Sequence, residues 1–131
     1  MIDENLTQEE VEDLIKQELG VLLYFSTPTC NVCHALKPKI IEAFNENFPE
    51  IKQHFIDASL SPEIPASMGI FSVPTIVVYL DGKEFARESR NVSVGELIQK
   101  ITRPYEMMTS WNTTKKKRNK ENIYVSFTRV F

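Results

Sequence analysis

The chain contains two cysteines, Cys30 and Cys33, separated by two residues. This spacing brings the sulfurs together across the first turn of a helix, so the pair can close and reopen a disulfide. An apolar run, Val21–Phe25, precedes the cysteines, and a helical pattern follows them. A helix N-terminus presents unpaired N–H groups and a partial positive charge, which favour the thiolate of Cys30. The pattern therefore predicts thiol–disulfide exchange.

Two other roles for the cysteines are weaker hypotheses. As small buried residues they would have no need of this spacing or of the helix start. A zinc site needs about four ligands, and His34 and His54 do not stand at finger spacing from the cysteines. We therefore expect neither a metal nor a cofactor.

Composition limits the class of protein. The 131 residues predict one main domain, with 25% charged residues and a net charge of −3 that does not favour nucleic-acid binding. The longest apolar run, of about eight residues, is too short to span a membrane. The acidic first residues do not resemble a signal peptide, so we expect a cytoplasmic protein and no membrane partner. In a reducing compartment, a lone pair of this spacing is more often catalytic than structural.

The remaining patterns predict an α/β domain. Thr7 and Glu10 form a capping-box pattern at the start of a first helix, and Gly20 is expected to end that helix. Asp81-Gly82 predicts a hairpin turn, and Ser93 predicts the cap of a last helix. The predicted strands are Val21–Phe25, Ile51–Ile56, Pro74–Leu80 and Lys83–Ser89; a helix from the cysteines to about Asn47 and a short helix or turn between Pro62 and Met68 complete the pattern. Together they predict a mixed central sheet with helices on both faces.

The charge changes sign at Pro104. Up to Arg103 there are 9 basic and 16 acidic side chains, whereas from Pro104 onwards there are 6 basic and 2 acidic ones. Apolar residues then alternate between Ile123 and Phe131. These features predict a domain over residues 1–104 and a basic extension over 105–131, which is either an added edge strand or a flexible tail.

A second marker follows the cysteines by about forty residues, in the run Ser72-Val73-Pro74-Thr75. Gly69 lies five residues before Pro74, and Pro38 lies five residues after Cys33. The two markers together resemble the thioredoxin family, over about residues 7–103. The resemblance implies the three-layer thioredoxin-like fold.

The resemblance also implies a mechanism. Cys30 would attack a disulfide in a partner protein, and Cys33 would resolve the mixed disulfide. Pro74 would be cis and stand against the disulfide, and Val73, Pro74 and Thr75 would form a groove in which the Val73 backbone pairs with an extended substrate. A reductase of the thioredoxin-reductase type would supply the electrons.

Several positions depart from the family pattern. The buried carboxylate that assists the second cysteine falls at Tyr24, and its lysine partner falls at Gln53. A glycine near the active site falls at Arg90. Tyr24, Arg90 and His34 are therefore candidate modulators of the cysteine pKa values. Further departures are Ser26 and Thr29 in place of tryptophans, and Asn31-Val32 between the cysteines.

Two alternative functions follow from the same residues. The run Thr27-Pro28-Thr29-Cys30 also resembles a glutaredoxin-type reductase, although the capped helix before the first strand favours thioredoxin. A protein-binding module that uses the groove without turnover is the alternative from another class. The oligomeric state is left open by the sequence.

Overall fold

The computed structural model describes residues 6–124, with side chains described for residues 6–110. Four helices and four strands lie along this part of the chain. In chain order they are α1 (Gln8–Gln17), β1 (Gly20–Ser26), α2 (Asn31–Asn47), β2 (Ile51–Asp57), α3 (Glu63–Ser67), β3 (Thr75–Leu80), β4 (Lys83–Glu88) and α4 (Val94–Tyr124). Within residues 6–124, none of the helices combines the length and the apolar character that a membrane crossing requires.

The four strands form one mixed sheet in the order β2-β1-β3-β4. β1 pairs in parallel with β2, with Tyr24 opposite Phe55, and antiparallel with β3. β3 and β4 form the antiparallel hairpin predicted around Asp81-Gly82. Asp81 has φ 53° and Gly82 has φ 79°, as a tight hairpin turn of this kind requires.

Helices cover both faces of the sheet, as predicted. Successive β1 residues point to opposite faces, so Leu22 and Tyr24 join one core cluster while Val21 and Leu23 join another. The first cluster includes buried residues of α2 and α4, and the second includes buried residues of α1 and α3. All residues of β1 and β3 are buried, because both central strands are covered on two sides.

The capping box at the start of α1 is confirmed. The backbone N–H of Glu10 donates to Thr7 Oγ1 at 3.1 Å, and the Thr7 N–H donates to Glu10 Oε1 at 2.8 Å. The role predicted for Gly20 is wrong, because α1 ends at Gln17 and Gly20 is the first residue of β1. A Cβ at Gly20 would lie 2.8 Å from Ile51 Cγ1, so this glycine permits the close approach of β1 and β2.

α4 continues past the proline at which the charge changes sign. Its cap is as predicted, since the N–H of Glu96 donates to Ser93 Oγ at 3.3 Å. Pro104 lies inside the helix, and Tyr105 is buried in the core cluster beneath α2. The Tyr105 hydroxyl accepts from the N–H of Glu50 at 3.1 Å. The change of charge at Pro104 therefore does not mark an end of regular structure.

The structure does not support the predicted edge strand in the part of the basic extension that it describes. Ile123 and Tyr124 belong to α4 rather than to a strand. Residues 125–131, where the rest of the predicted alternation lies, are outside the described part of the chain.

Candidate active site

The two cysteines lie where β1 gives way to α2, joined to the strand by a short turn. Cys30 is the N-cap residue of α2, and its Sγ accepts a hydrogen bond from the N–H of Cys33 at 3.1 Å. The first turn of α2 contains no acidic residue. The helix end therefore favours negative charge on Cys30, because its N–H groups point towards the sulfur and no nearby carboxylate in that turn opposes them.

The cysteines form a disulfide and differ in exposure. Their Cα atoms are 5.2 Å apart, within the ordinary range for bonded cysteines. Cys33 is 1% exposed, whereas Cys30 is half-buried at the edge of the same core cluster. A bulky reagent or substrate can therefore approach Cys30 more readily than Cys33.

Tyr24 lies directly beneath the second cysteine. It is fully buried on β1, and its hydroxyl donates to the backbone carbonyl of Cys33 at 2.7 Å. Its ring packs against Phe55 of β2, with the centroids 5.7 Å apart. The structure thus brings Tyr24 to Cys33, as its sequence position predicted, but in the role of a hydrogen-bond donor to the backbone.

Gln53 does not form a pair with Tyr24. In the register of β1 and β2 it lies opposite Leu22, two pairs away from the pair formed by Tyr24 and Phe55. Its Nε2 donates to Oδ1 of Asn45 on α2 at 2.8 Å. The resemblance implied a carboxylate at position 24 and a lysine at position 53, whereas this chain has a phenol and an amide with separate partners. Neither group carries a charge that burial would penalise.

Lys37 is a charged residue near the site that the sequence analysis did not single out. It lies on α2 four residues after Cys33, and its Nζ stands 4.7 Å from the centroid of the Phe55 ring. The ring that it covers is the one that packs against Tyr24. The spacing of one helical turn from Cys33 was a signal that could have identified Lys37.

His34 binds the turn that carries Cys30. Its side chain is exposed, and Nε2 is 2.8 Å from the carbonyl oxygen of Pro28. A carbonyl can only accept, so this nitrogen carries a proton and donates. His34 therefore links the start of α2 to the turn before Cys30.

The other predicted site residues lie in the turn between β4 and α4, in the loop before β3 and at the start of β3. Arg90 is exposed in the turn between β4 and α4, and its proposed effect on Cys30 stays a prediction. The Val73–Pro74 peptide bond is cis, Pro74 is buried and Val73 is half-buried. Thr75 begins β3, and its Oγ1 donates to the carbonyl of Ser72 at 2.7 Å, which holds the loop against the strand.

Among the described residues, no three His, Cys, Asp or Glu side chains are grouped closely enough to hold a metal ion. The reactive group of the described site is the Cys30–Cys33 pair, and backbone and side-chain donors surround it. A strand, a turn and a helix N-cap together present a reversible disulfide at the surface of an α/β domain.

Comparison with known proteins identifies the family. The family model described as Thioredoxin matches residues 3–103. The chain is 37% identical over 97 residues to the thioredoxin-like protein YdfQ of Bacillus subtilis, which covers 74% of this chain and 86% of that protein. The chain belongs to the thioredoxin family, and with its Cys30–Cys33 pair it is a thioredoxin-type thiol–disulfide oxidoreductase.

Solved structures agree with this assignment. Thioredoxin 1 from Thermosipho africanus is 32% identical, with a TM-score of 0.61 over 68% of this chain and 98% of that one. The oxidized mitochondrial thioredoxin 3 of Saccharomyces cerevisiae has a TM-score of 0.66 at 21% identity, over 75% of this chain and 91% of that one. The thioredoxin-like fold expected from the two sequence markers is confirmed. Family membership implies, in general terms, protein disulfides as substrates and a reductase as partner.

Proposed function

We propose that this protein reduces disulfides in partner proteins of the cytoplasm, with Cys30 as the nucleophile and Cys33 as the resolving cysteine. One observation carries the assignment of roles: Cys30 is the more exposed sulfur and accepts a hydrogen bond at a helix N-terminus, whereas Cys33 is 1% exposed.

The reaction has two exchange steps. The Cys30 thiolate attacks one sulfur of the substrate disulfide, and the other substrate sulfur leaves as a thiolate with the electron pair of the broken bond. Cys33 then loses its proton and attacks Cys30 Sγ, which releases the second substrate thiolate. The substrate gains two electrons, and the protein is left with the Cys30–Cys33 disulfide. A reductase of the thioredoxin-reductase type, supplying two electrons, would restore the dithiol.

The loop before β3 is suited to hold the substrate. The backbone of Val73 would pair with an extended segment, while Pro74 and Thr75 shape the groove. The Thr75 hydroxyl supports this geometry by binding the Ser72 carbonyl at 2.7 Å. Pairing through the backbone would accept many sequences, because it uses groups that every residue carries.

Insulin reduction by dithiothreitol tests the proposal. The native protein should accelerate precipitation of the insulin B chain, and Cys30→Ser should reduce the rate to that of the uncatalysed blank. Cys33→Ser should also lose turnover; when the reduced variant is mixed with insulin in the absence of dithiothreitol, it should accumulate a mixed disulfide on Cys30, visible by mass. A native rate equal to the blank would refute the proposal and favour a protein-binding module.

A further inference from the structure

The side chain of Lys37 brings a positive charge to the face of α2 that carries Cys33. The two residues are four positions apart in the helix, so they are neighbours on one face, separated by a single turn. A helical side chain is directed towards the N-terminus of its helix and covers the turn before its own Cα. The half-buried side chain of Lys37 therefore extends back towards the turn that contains Cys33.

Two aromatic rings connect the Lys37 ammonium group to the backbone of Cys33. Lys37 Nζ lies 4.7 Å from the centroid of Phe55, and that ring packs against Tyr24 with the centroids 5.7 Å apart. The Tyr24 hydroxyl in turn donates to the Cys33 carbonyl at 2.7 Å. Cys33, Tyr24 and Phe55 belong to one core cluster, and both rings are fully buried. The ammonium group is thus held by a ring face on the Cys33 side of the sheet, a contact that favours a cation.

Ionisable groups lie on each of the elements packed around Cys33. They are Tyr24 on β1, Asp57 on β2, the Glu88–Lys100 ion pair between β4 and α4, Arg90 in the turn before α4, Tyr105 on α4, and His34 and Lys37 on α2. His34 and Arg90 are exposed, so solvent and salt screen their charges. Asp57 is buried and carries the sign that opposes a thiolate. Lys37 is the half-buried cation of this set, and a charge partly removed from water acts more strongly on its neighbours.

A cation at this place meets a need of the resolving step. Cys33 is 1% exposed, and burial disfavours the charged form of a thiol. The thiolate is nevertheless the form that attacks a disulfide. A nearby opposite charge favours the charged form and offsets part of the cost of burial.

We propose that the Lys37 ammonium group stabilises the thiolate of Cys33 and thereby accelerates resolution of the mixed disulfide. The proposal rests on the function proposed above and adds a residue to its second step. In that step Cys33 gives its proton to solvent, and its thiolate bonds to Cys30 Sγ. The bond between Cys30 and the substrate breaks, and the substrate sulfur leaves with the electron pair. Lys37 exchanges neither proton nor electron and acts through Cys33, so it is a positioning residue.

The ionisation of Cys33 can be measured without any substrate. Cys30→Ser leaves Cys33 as the one cysteine of the chain, and serine is a favoured N-cap that preserves the start of α2. The ultraviolet absorbance of the thiolate, followed against pH, gives the pKa of Cys33, and the protein without either cysteine is the blank that subtracts the tyrosines. Lys37→Met and Lys37→Gln in this background should each raise the pKa of Cys33 by about one unit, because they remove the charge.

Two control variants separate charge at this position from other effects. Lys37→Arg keeps the charge, so the pKa of Cys33 should stay within about 0.3 unit of its value with lysine. Lys39→Met is the matched control, because Lys39 is exposed on the same helix and its substitution changes the net charge equally. It should move the pKa of Cys33 by less than about 0.3 unit. An equal rise in the Lys37→Met and Lys39→Met proteins, or no rise in either uncharged variant at position 37, would overturn the proposal.

Decay of a mixed disulfide on Cys30 connects the ionisation to the reaction. With both cysteines present, Lys37→Met should slow this decay about tenfold near pH 7 and move the midpoint of its pH profile upwards by about one unit. A merely structural role would lower the free energy of unfolding and leave that midpoint in place, which would contradict the proposal.

The two levels of the proposal fail in different ways. If Lys37→Met raises the pKa of Cys33 but the native protein reduces no insulin, the reductase function is wrong and the effect of Lys37 on the thiolate stands. If the native protein reduces insulin and the pKa of Cys33 is the same with lysine and with methionine at position 37, the proposal for Lys37 is wrong and the reductase function stands.

Discussion

At the scale of single residues, the two cysteines differ in environment although they belong to the same helical turn. Cys30 is the cap and Cys33 lies inside, because a helix of 3.6 residues per turn directs the two side chains to different depths at its N-terminus. The fully buried Tyr24 below Cys33 adds a donor to its carbonyl. The roles proposed for Cys30 in attack and for Cys33 in resolution rest on this difference in depth.

Limiting iodoacetamide should therefore label Cys30 first in the reduced protein. We expect Cys30 to react roughly tenfold faster or more, because reactivity follows exposure and thiolate character. Peptide mass spectrometry after digestion identifies the labelled residue. Denatured protein is the control, in which the difference should disappear. Preferential labelling of Cys33 in the folded protein would reverse the assigned roles.

The resolving step should limit turnover near neutral pH. Cys33 must lose its proton before it attacks, and burial disfavours the charged thiolate. A phenol, with an ordinary pKa of about 10, is a poor base at this pH, so the hydroxyl at position 24 does not replace a carboxylate. Stopped-flow decay of a mixed disulfide on Cys30 should accelerate from about pH 6 to about pH 9.

Tyr24→Phe is the matched variant for this experiment. It should leave the pH profile of the decay unchanged and reduce the free energy of unfolding by about 1 kcal/mol, the usual contribution of one hydrogen bond. A fast decay that is independent of pH in the native protein would show that another group acts as base. His34 would then be the first residue to substitute.

At the scale of elements, the approach of β1 to β2 depends on Gly20. Gly20→Ala should reduce the free energy of unfolding by about 1–3 kcal/mol, because its Cβ would stand 2.8 Å from Ile51 Cγ1. Gly95→Ala is the control, since a Cβ there meets nothing within 4 Å and alanine is the better helix former. Urea denaturation measures both. Equal stability of the two variants would contradict the close-approach argument.

The part of α4 beyond Pro104 should contribute to the stability of the domain. Tyr105 packs on Phe48, with ring centroids 4.9 Å apart, and its hydroxyl binds the N–H of Glu50. Tyr105→Ala should cost about 3 kcal/mol of unfolding free energy, and Tyr105→Phe about 1 kcal/mol. Substitution of the exposed Met107 by alanine should change the stability little. A Tyr105→Ala variant as stable as the native protein would show that α4 is dispensable beyond Pro104.

At the scale of the whole molecule, alkaline pH should destabilise the fold through Tyr79. Burial, assisted by the charge of Glu84, raises the pKa of Tyr79 to about 12. The folded protein thus holds this proton more tightly than the unfolded chain, whose tyrosines ionise near pH 10. The contribution is fully present below about pH 10 and is lost as the pH rises from there to about 12.

Tyr79→Phe tests this sign. The native free energy of unfolding should fall more steeply than that of the variant between about pH 10 and about pH 12, as measured by chemical denaturation at fixed ionic strength. Below about pH 9, the difference between the two proteins should be constant. Parallel curves over the whole range would contradict the effect of burial on this phenol.

The local elements of this protein were determined by its sequence. The capping box at Thr7, the hairpin at Asp81-Gly82 and the cap at Ser93 depend on residues within a few positions of one another, so short-range chemistry sufficed to predict them. The cysteine pair and its helix were predictable for the same reason. The mixed sheet followed from β-branched strands alternating with helical patterns.

Only the tertiary structure decided which distant residues meet. Gly20 was misassigned because its constraint comes from Ile51, on a neighbouring strand. The change of charge at Pro104 suggested a boundary, yet the contact of Tyr105 with Phe48 depends on the packing of α4 against α2. An apolar cavity of about 420 Å³ is lined by Thr27, by Pro65 of α3 and by Val73, which come from three separate segments of the chain. Patterns along the chain report local preference, whereas close approaches and cavities arise from packing between elements that the sequence keeps far apart.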